Sequence, residues 1–178
     1  ILESSRNNNI KKFIYAASSS CYGLAKTPTD ESHIIDPKYP YALSKYQGEQ
    51  CALHWASVYG LNVKSIRIFN AYGRRVRTTG AYGAVFGVFL KQYLSGKPLT
   101  IVGDGSQKRD FIHVKDVANA FFQLYVSSTS QKIFNLGAGN PISVKELAEI
   151  IGGKFEYIEK RPGEPDITWA NITRIQSE

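Results

Sequence analysis

A tyrosine and a lysine stand four residues apart in the stretch YPYALSK, as Tyr41 and Lys45. On an α-helix this spacing places both side chains on one face, one turn apart. A tyrosine with its ordinary pKa near ~10 is a poor base at neutral pH, but a neighbouring ammonium favours the phenolate and lowers that pKa. The pair is therefore a candidate device for proton transfer, although the same spacing also arises by chance on helices.

Three consecutive serines, Ser18, Ser19 and Ser20, follow a short apolar run in the stretch FIYAASSSCYG. A plain exit from a strand into a loop would accept glycine, asparagine or aspartate equally well. Open α/β sheets bind their ligands at the carboxyl ends of parallel strands, which is where such a cluster would lie. The serines are therefore candidate ligand contacts, and for Ser19 and Ser20 ordinary capping of the loop remains an alternative.

The elements that must carry these residues alternate along the chain between strand and helix patterns. The predicted strands are Lys11–Ala17, Asn62–Ile68, Leu99–Val102, Lys132–Leu136 and Phe155–Ile158. The predicted helices are Tyr41–Tyr59, Val85–Leu94, His113–Tyr125 and Ser143–Ile151. Such alternation predicts an α/β fold with a mainly parallel sheet covered by helices. Long loops are predicted over Cys21–Lys38 and Asn70–Gly83.

The composition limits the classes of partner. The 178 residues carry a net charge of +7, which indicates an anionic partner, with a merely solvated basic surface as the alternative. Lysines and arginines are scattered and no aromatic and basic RNA-binding motif is present, so we expect no nucleic acid partner. No apolar run approaches the ~18 residues of a membrane span, no signal peptide is visible, and the two cysteines form no metal motif. We therefore expect a cytoplasmic protein that binds no membrane and no metal.

Several stretches in series resemble the extended short-chain dehydrogenase/reductase family, in particular its nucleotide-sugar epimerases and dehydratases. They run from Phe13 to Asp166, which is nearly the whole chain. In order they read FIYAASSSCYG, YPYALSKYQGE, IRIFNAYGRR, GDGSQKRDFIHVKDVANA, FNLGAGNPISVKELA and KRPGEPD. The resemblance implies a Rossmann-type, mainly parallel sheet, a small mixed substrate-binding lobe, and NAD as the cofactor.

The resemblance also assigns roles to individual residues. It implies that the catalytic residues are Ser18, Tyr41 and Lys45, and that Tyr41 and Lys45 also contact the nicotinamide cofactor. The implied substrate-binding residues are Ser19, Ser20, Asn70, Arg109, Arg161 and Thr168. In the family, the asparagine meets the diphosphate end of the substrate, and the two arginines clamp the pyrophosphate through charge-assisted forks.

By its offset from Arg161, Thr168 matches a family position whose side-chain bulk helps to decide whether an N-acetyl group fits beside the sugar. A large aromatic residue at this position closes the space beside the sugar, whereas a threonine leaves room for an N-acetyl group. We therefore expect the partner to be a nucleotide-diphosphate sugar, UDP-linked, with N-acetylated sugars accepted alongside the plain hexose. His113 and Asp116 are expected to organise a turn and a helix start.

The serine cluster also separates two chemistries within the family. Members that dehydrate sugars carry an aspartate and a glutamate where this chain has Ser19 and Ser20. The sequence TDE at Thr29–Glu31 lies in the following loop and is a decoy. The resemblance therefore favours epimerisation at C4 through a 4-keto sugar. A related decarboxylase, dehydratase or reductase of the family that acts on another nucleotide sugar, or a non-catalytic binding protein of this fold, remains an alternative.

The glycine-rich first βαβ unit of the family is absent, because no G-x-x-G-x-x-G pattern occurs in the 178 residues. Both ends also resemble interrupted helices, so we expect a fragment that is inactive alone. We predict that residues 1–82 are the remaining part of the Rossmann-type domain. Residues 83–178 would form mainly the substrate-binding lobe, with segments returning to the main sheet.

A homodimer is expected from the helix that follows Pro40. In the family, the equivalent helix helps to form a two-fold dimer. Here it carries more large apolar residues than one core-facing stripe requires. These residues are Leu43, Tyr46, Leu53, Trp55 and Val58.

Overall fold

The computed structural model describes residues 1–78, 85–160 and 164–178. The helices are α1 (Leu2–Asn7), α2 (Pro40–Tyr59), α3 (Val85–Leu94), α4 (Val114–Val126), α5 (Val144–Ile151) and α6 (Thr173–Gln176). The longer strands are β1 (Phe13–Ser18), β2 (Val63–Ile68), β4 (Leu99–Val102), β7 (Ile133–Leu136) and β9 (Phe155–Ile158). The two-residue strands are β3 (Ala71–Tyr72), β5 (Lys108–Arg109), β6 (Ile112–His113), β8 (Ile142–Ser143) and β10 (Ile167–Thr168).

The main sheet is parallel and has the order β1-β2-β7. Its register pairs Ser18 with Ile68 and Ile68 with Leu136, so the three strands end at one common edge. Parallel neighbours need a crossover, and α2 supplies the one between β1 and β2. The predicted α/β fold with a mainly parallel, Rossmann-type sheet is confirmed.

The central strand β2 is buried along almost its whole length, as a parallel strand covered on both faces must be. Its residues alternate between the faces. Ile66 packs with Leu124 of α4 and Phe134 of β7 on one face. Ser65 and Arg67 lie on the other face, towards α2, and both are buried although they are polar.

A second hydrophobic core lies between α3, α5 and the β4–β9 pair. It contains Phe89, Leu99, Ile101, Val144, Leu147 and Ala148. The small sheet beside it is mixed, because β5 pairs antiparallel with β8 and parallel with β10. β7 comes from the second half of the chain but lies in the main sheet. The boundary predicted between residues 82 and 83 lies outside the described residues and stays a prediction.

Local signals place the longer elements within one or two residues of their predicted bounds. Pro40 occupies the first turn of α2, where its missing N–H costs no hydrogen bond, and Gly60 ends the helix with a φ of 68°. The largest difference at a predicted start is in β1, which begins at Phe13 and not at Lys11. Lys12 Nζ instead donates to the carbonyls of Leu124 and Tyr125, at 2.8 and 2.7 Å. It thereby caps the carboxyl end of α4.

The two-residue strands and the 3₁₀ helix Ser19–Tyr22 have no counterpart among the sequence predictions. A pairing of two residues has no period that a sequence pattern could show, so its partner strand decides whether it forms. Within the three described ranges, no helix is long and apolar enough to span a membrane.

Candidate active site

The serine cluster lies where β1 ends at the carboxyl edge of the main sheet. Ser18 is the N-cap of the 3₁₀ helix, and its Oγ accepts hydrogen bonds from Ser20 N at 3.3 Å and from Ser20 Oγ at 2.9 Å. A hydroxyl that accepts these bonds can still donate its own proton to a ligand. The contacts therefore leave Ser18 able to reach a ligand and give Ser20 a part in shaping the turn. Ser19 is half-buried beside them.

Lys45 is anchored to the same strand. Its Nζ donates to the Ala16 carbonyl at 2.8 Å and lies 5.5 Å from the centre of the Tyr15 ring. These contacts hold the ammonium beside β1, two residues before Ser18. Tyr41 lies one turn earlier on α2 and is 40% exposed, so a ligand can reach part of its side chain.

Tyr15 connects β1 to the start of α2. Burial raises the pKa of the Tyr15 hydroxyl, and the Glu49 carboxylate and Tyr41 act on it in the same direction. A Cβ on Gly48 would overlap the Tyr15 hydroxyl and would lie 2.6 Å from ring carbon Cζ. The glycine therefore lets α2 approach β1 closely at the level of Lys45.

Asn70 and Thr168 are brought together although they are far apart in the sequence. Asn70 follows β2 by two residues, and its Nδ2 donates to Thr168 Oγ1 at 2.9 Å and to the Asp110 carbonyl at 3.1 Å. Thr168 pairs with Arg109 between β10 and β5. Three of the six predicted substrate-binding residues, Asn70, Thr168 and Arg109, therefore form one group of neighbours.

Arg109 has little exposure to solvent, with 13% of its side chain accessible. Its Nη1 donates to the carbonyls of Lys108 and Pro165, both at 2.9 Å, and Nη2 lies 3.7 Å from a Glu164 carboxylate oxygen. Burial lowers the pKa of the Arg109 guanidinium, against the opposing effects of Glu164 and Asp166. An arginine remains charged in proteins even so, which makes it suited to hold an anion. The predicted partner residue Arg161 lies outside the described residues.

The stretches TDE (Thr29–Glu31) and GAGNP (Gly137–Pro141) form hydrogen bonds between loops. Glu31 Oε1 accepts from Asn135 N at 2.8 Å, and Thr29 N donates to the Trp169 carbonyl at 2.8 Å. The buried Asp110 carboxylate accepts from the backbone N–H groups of Ala138, at 2.7 Å, and of Gly139. These groups thus have partners within the fold and are not aimed at the serine cluster.

His113 also has a structural partner. It is the N-cap of α4, and its Nδ1 accepts from Lys115 N at 3.3 Å, as the predicted helix start requires. Asp116 lies in the first turn of the same helix. Among the residues that the structure describes, no group of histidine, cysteine, aspartate and glutamate side chains could hold a metal ion.

The sequence predictions missed a buried polar network behind the serine cluster. Arg67 Nη2 donates to Glu49 Oε1 at 2.6 Å, and Arg67 Nη1 donates to Tyr22 Oη at 2.8 Å. Burial disfavours the charge on Arg67, but the hydrogen bonds and charges of Glu49 and Tyr22 outweigh it and raise its pKa. Two signals could have revealed the network: an arginine inside a buried strand, and a glutamate one helical turn after Lys45.

Cys21 lies beside this network and is also buried. Burial raises the pKa of its thiol to about 12. A thiol with so high a pKa carries little thiolate at neutral pH, so Cys21 is an unreactive core residue.

The chain is similar to known proteins in sequence and in fold. The family model described as "NAD dependent epimerase/dehydratase family" matches residues 1–137. A UDP-glucuronate 4-epimerase of Thermodesulfobacterium geofontis is 32% identical to the chain over 184 residues. The match covers 99% of this chain and 55% of that relative.

Two solved structures extend the comparison. A UDP-N-acetylglucosamine 4-epimerase from Methanobrevibacter ruminantium, in complex with UDP-N-acetylmuramic acid, matches with a TM-score of 0.92 and 33% identity, over 98% of this chain and 58% of that chain. A UDP-glucuronic acid 4-epimerase from Bacillus cereus, in complex with UDP-glucuronic acid and NAD, matches with a TM-score of 0.88 and 28% identity, over 99% and 57%. The chain thus spans a little over half the length of these proteins.

Proposed function

Because the chain belongs to the NAD dependent epimerase/dehydratase family, we propose that it supplies the catalytic and substrate-binding part of a nucleotide-sugar 4-epimerase. One observation carries the proposal: Ser18, Tyr41 and Lys45 lie on two adjoining elements at the carboxyl edge of a parallel sheet. That edge is where open α/β sheets bind ligands. The relatives named above support the class of reaction.

Tyr41, Lys45 and Ser18 each have a separate role in the proposed proton transfer. In the proposed reaction Tyr41, as a phenolate, takes the proton of the sugar 4-hydroxyl and later returns it. Lys45 stabilises the negative charge on Tyr41, and the Ala16 carbonyl and the Tyr15 ring keep its ammonium in place. Ser18 donates a hydrogen bond that orients the same hydroxyl.

The residues present fit NAD at its reactive end. Tyr41 is partly exposed, and Lys45 lies one turn after it on the same helix, where its ammonium would hold the nicotinamide ribose. When bound, NAD supplies the acceptor and donor of the hydride at the sugar carbon C4. The 178 residues contain no glycine-rich phosphate turn, so these side chains would hold only part of the cofactor.

The diphosphate of the substrate is assigned to Arg109, together with Arg161. The half-buried position of Arg109 supports this role, because a guanidinium shielded from water attracts a phosphate oxygen more strongly than an exposed one does. Thr168 pairs with Arg109 between β10 and β5, and Asn70 donates a hydrogen bond to Thr168, so both lie beside the proposed diphosphate site. We propose a UDP-linked sugar, and the small Thr168 side chain supports tolerance of an N-acetyl group.

Epimerisation is favoured over dehydration because acidic residues do not occupy the positions after Ser18. Ser20 is hydrogen-bonded to Ser18, and neither Ser19 nor Ser20 can supply the acid and base that loss of a hydroxyl needs. The test is a proton NMR assay of the complete encoded protein with NAD and UDP-glucose or UDP-N-acetylglucosamine. Appearance of the C4 epimer is expected, whereas a 4-keto-6-deoxy product, or no turnover with either sugar, would contradict the proposal.

The preference between sugars has a separate test. Thr168→Tyr should lower the kcat/KM for the acetylated sugar by about 10-fold or more and should change that for the plain hexose much less, since added bulk excludes only the larger group. Thr173→Tyr, a matched change on α6, should leave the ratio unaltered. If Thr168→Tyr also leaves the ratio unaltered, Thr168 does not select the substrate.

We further propose a homodimer and a cytoplasmic location. On α2, Leu43, Val58 and Tyr59 are 44%, 53% and 46% exposed, which supports an apolar contact surface. Leu53 and Trp55 contribute less than predicted, because they pack against the core of their own chain. Cys21 and Cys51 are both free thiols, as a reducing compartment maintains them.

A further inference from the structure

A buried ion pair joins α2 to β2 on the face of the main sheet that α2 covers. Arg67 and Glu49 are 2% and 1% exposed. Arg67 Nη2 donates to Glu49 Oε1 at 2.6 Å, and Arg67 Nε donates to Oε2 at 3.0 Å. Ser65 Oγ completes the shell of the carboxylate by donating to Oε2 at 2.7 Å. Both carboxylate oxygens therefore have partners, as a buried charge requires.

The other side of the guanidinium faces the serine cluster and the loop behind it. Arg67 Nη1 donates to Tyr22 Oη at 2.8 Å and to the Glu31 carbonyl at 3.2 Å. Tyr22 Oη donates in turn to Asn135 Oδ1 of β7 at 2.7 Å. One arginine thus connects α2, the 3₁₀ helix, the loop at Glu31 and, through Tyr22, the neighbouring strand.

Glu49 and Tyr22, on opposite sides of Arg67, each lie four residues along the chain from a proposed catalytic residue. Glu49 lies one helical turn after Lys45, and Tyr22 closes the short 3₁₀ helix that begins after Ser18. A rigid link between Glu49 and Tyr22 therefore sets how far the helix with Tyr41 and Lys45 lies from the strand end with Ser18. Misplacing a reacting group by about 1 Å can cost about 100-fold in rate.

Stability alone is a weak reason for such a pair. Removing two charges from water is costly, and well-packed apolar residues of similar volume often stabilise a core as well or better. We propose that Glu49, Arg67 and Tyr22 are positioning residues, which hold Tyr41 and Lys45 in place relative to Ser18. The proposal rests on the function proposed above for those three groups.

The planar fork of arginine is what makes the link possible. Arg67 uses its Nε and both terminal nitrogens to reach Glu49, Tyr22 and the Glu31 carbonyl. A lysine at this position keeps the charge but has a single nitrogen at the end of a flexible chain, so it cannot bond all of these groups. Arg67→Lys therefore keeps the positive charge but loses the hydrogen bonds that link Glu49 to Tyr22.

The first experiment measures kcat and KM of the complete encoded protein. Arg67→Lys should lower kcat by at least about 10-fold and keep KM within about 3-fold, because substrate contacts are untouched. Tyr22→Phe, which removes only one hydroxyl and keeps the ring, should lower kcat by a smaller factor. Unchanged kcat in both variants would overturn the proposal.

The matched control is Ile66→Ala. Ile66 is the residue before Arg67 on β2, but it packs on the opposite face against α4. Its truncation leaves a cavity and lowers the melting temperature without touching the network. If Ile66→Ala and Arg67→Lys lower kcat in equal proportion to their loss of stability, Arg67 acts only through general stability and the proposal fails.

The second experiment is independent of any substrate. Amide hydrogen exchange of the free protein should become faster in Pro40–Glu49 and Ser18–Tyr22 of Arg67→Lys, and not selectively so in Ile66→Ala. If the wild-type protein epimerises no nucleotide sugar, the proposed function fails while this measurement still decides whether the network holds the two segments. Exchange in both segments that equals the wild-type rate would overturn the positioning role.

Discussion

Three side chains at the edge of the main sheet would carry the chemistry, and neighbouring groups hold Lys45 and Ser18 in place. Lys45 is fixed by the Ala16 carbonyl and by the Tyr15 ring, and Ser18 by the N–H and hydroxyl of Ser20. Tyr41 is the most exposed of the three, which suits its proposed contact with the substrate. In the proposed reaction these groups would supply a proton acceptor, a cation and a hydrogen-bond donor.

Tyr41→Phe tests the proton acceptor. The variant keeps the ring and loses only the ionisable oxygen, so nucleotide-sugar binding should persist while kcat falls by about 100-fold or more. Binding calorimetry and the NMR assay measure the two effects separately. Tyr59→Phe, the same change at the far end of α2, serves as the control, and turnover close to wild type in Tyr41→Phe would remove the assignment.

Arg109→Ala tests the diphosphate site. KM should rise by about 10-fold or more while kcat falls less, because the arginine would hold a part of the substrate that does not react. Lys108→Ala removes the exposed neighbouring cation on the same strand and should raise KM much less. Steady-state kinetics at two salt concentrations would check both. A variant that binds the nucleotide sugar as tightly as wild type would show that Arg109 has another role.

The close packing of α2 against β1 depends on one glycine. Gly48 lies between Lys45 and Glu49, and the Tyr15 ring occupies the space that a Cβ would need. The same contact brings Tyr15 under the Lys45 ammonium. A change at Gly48 therefore acts on the element and on the site together.

Gly48→Ala is expected to destabilise the protein by about 1–3 kcal/mol and to lower kcat, because overpacking must move the helix or the ring. Tyr15→Phe in the same background should relieve part of the strain, since the closest atom is removed but Cζ, at 2.6 Å, remains. Urea unfolding and kinetics measure both quantities. A Gly48→Ala protein as stable and active as wild type would contradict the packing described here.

The control for this change is Ser57→Ala, which also places an alanine on α2 but on its exposed side. Nothing there is overpacked, so only the slightly better helix propensity of alanine acts. The free energy of unfolding should change by no more than about 0.5 kcal/mol, and kcat should stay unchanged. A loss of activity in Ser57→Ala would show that α2 tolerates no small substitution, and the result at Gly48 would then say nothing about Tyr15.

The whole molecule joins distant segments at a single edge. Strands from both halves of the chain meet in the main sheet, and the Asp110 carboxylate ties the loop after β7 to Ala170 N at 3.0 Å. Loops on this edge therefore depend on contacts between residues that are far apart in the sequence, such as Thr29 with Asn171. The candidate site therefore depends on contacts between distant parts of the chain, and not on one motif.

Light scattering tests the proposed dimer. The exposed apolar residues of α2 lead us to expect a dimeric mass at micromolar concentration. Leu43→Glu should shift the mass to that of a monomer, because a charge opposes burial in an apolar contact. Lys91→Glu on α3 places the same charge elsewhere as a control. A monomeric wild-type protein would contradict the expectation.

The sequence by itself determined the alternation of strands and helices, the bounds of the longer elements to within one or two residues, and the place of Tyr41 and Lys45 one turn apart on one helix. These features are local: periodicity, a proline at a helix start and a glycine at its end act within a few residues. The family membership rests on the same short motifs, and the structure agrees with it in fold.

Only the tertiary structure decided which distant residues meet. Asn70 donates a hydrogen bond to Thr168, and Arg67 joins Glu49 to Tyr22. An arginine in a buried strand indicates that a polar partner is needed, but no local pattern identifies which residue that partner is. The two-residue strands also depend on tertiary contacts, because each forms only where a strand from a distant part of the chain pairs with it. The physical reason is common to all of them. A buried polar group needs a hydrogen-bond partner, and the packing of distant segments determines which partner lies close enough.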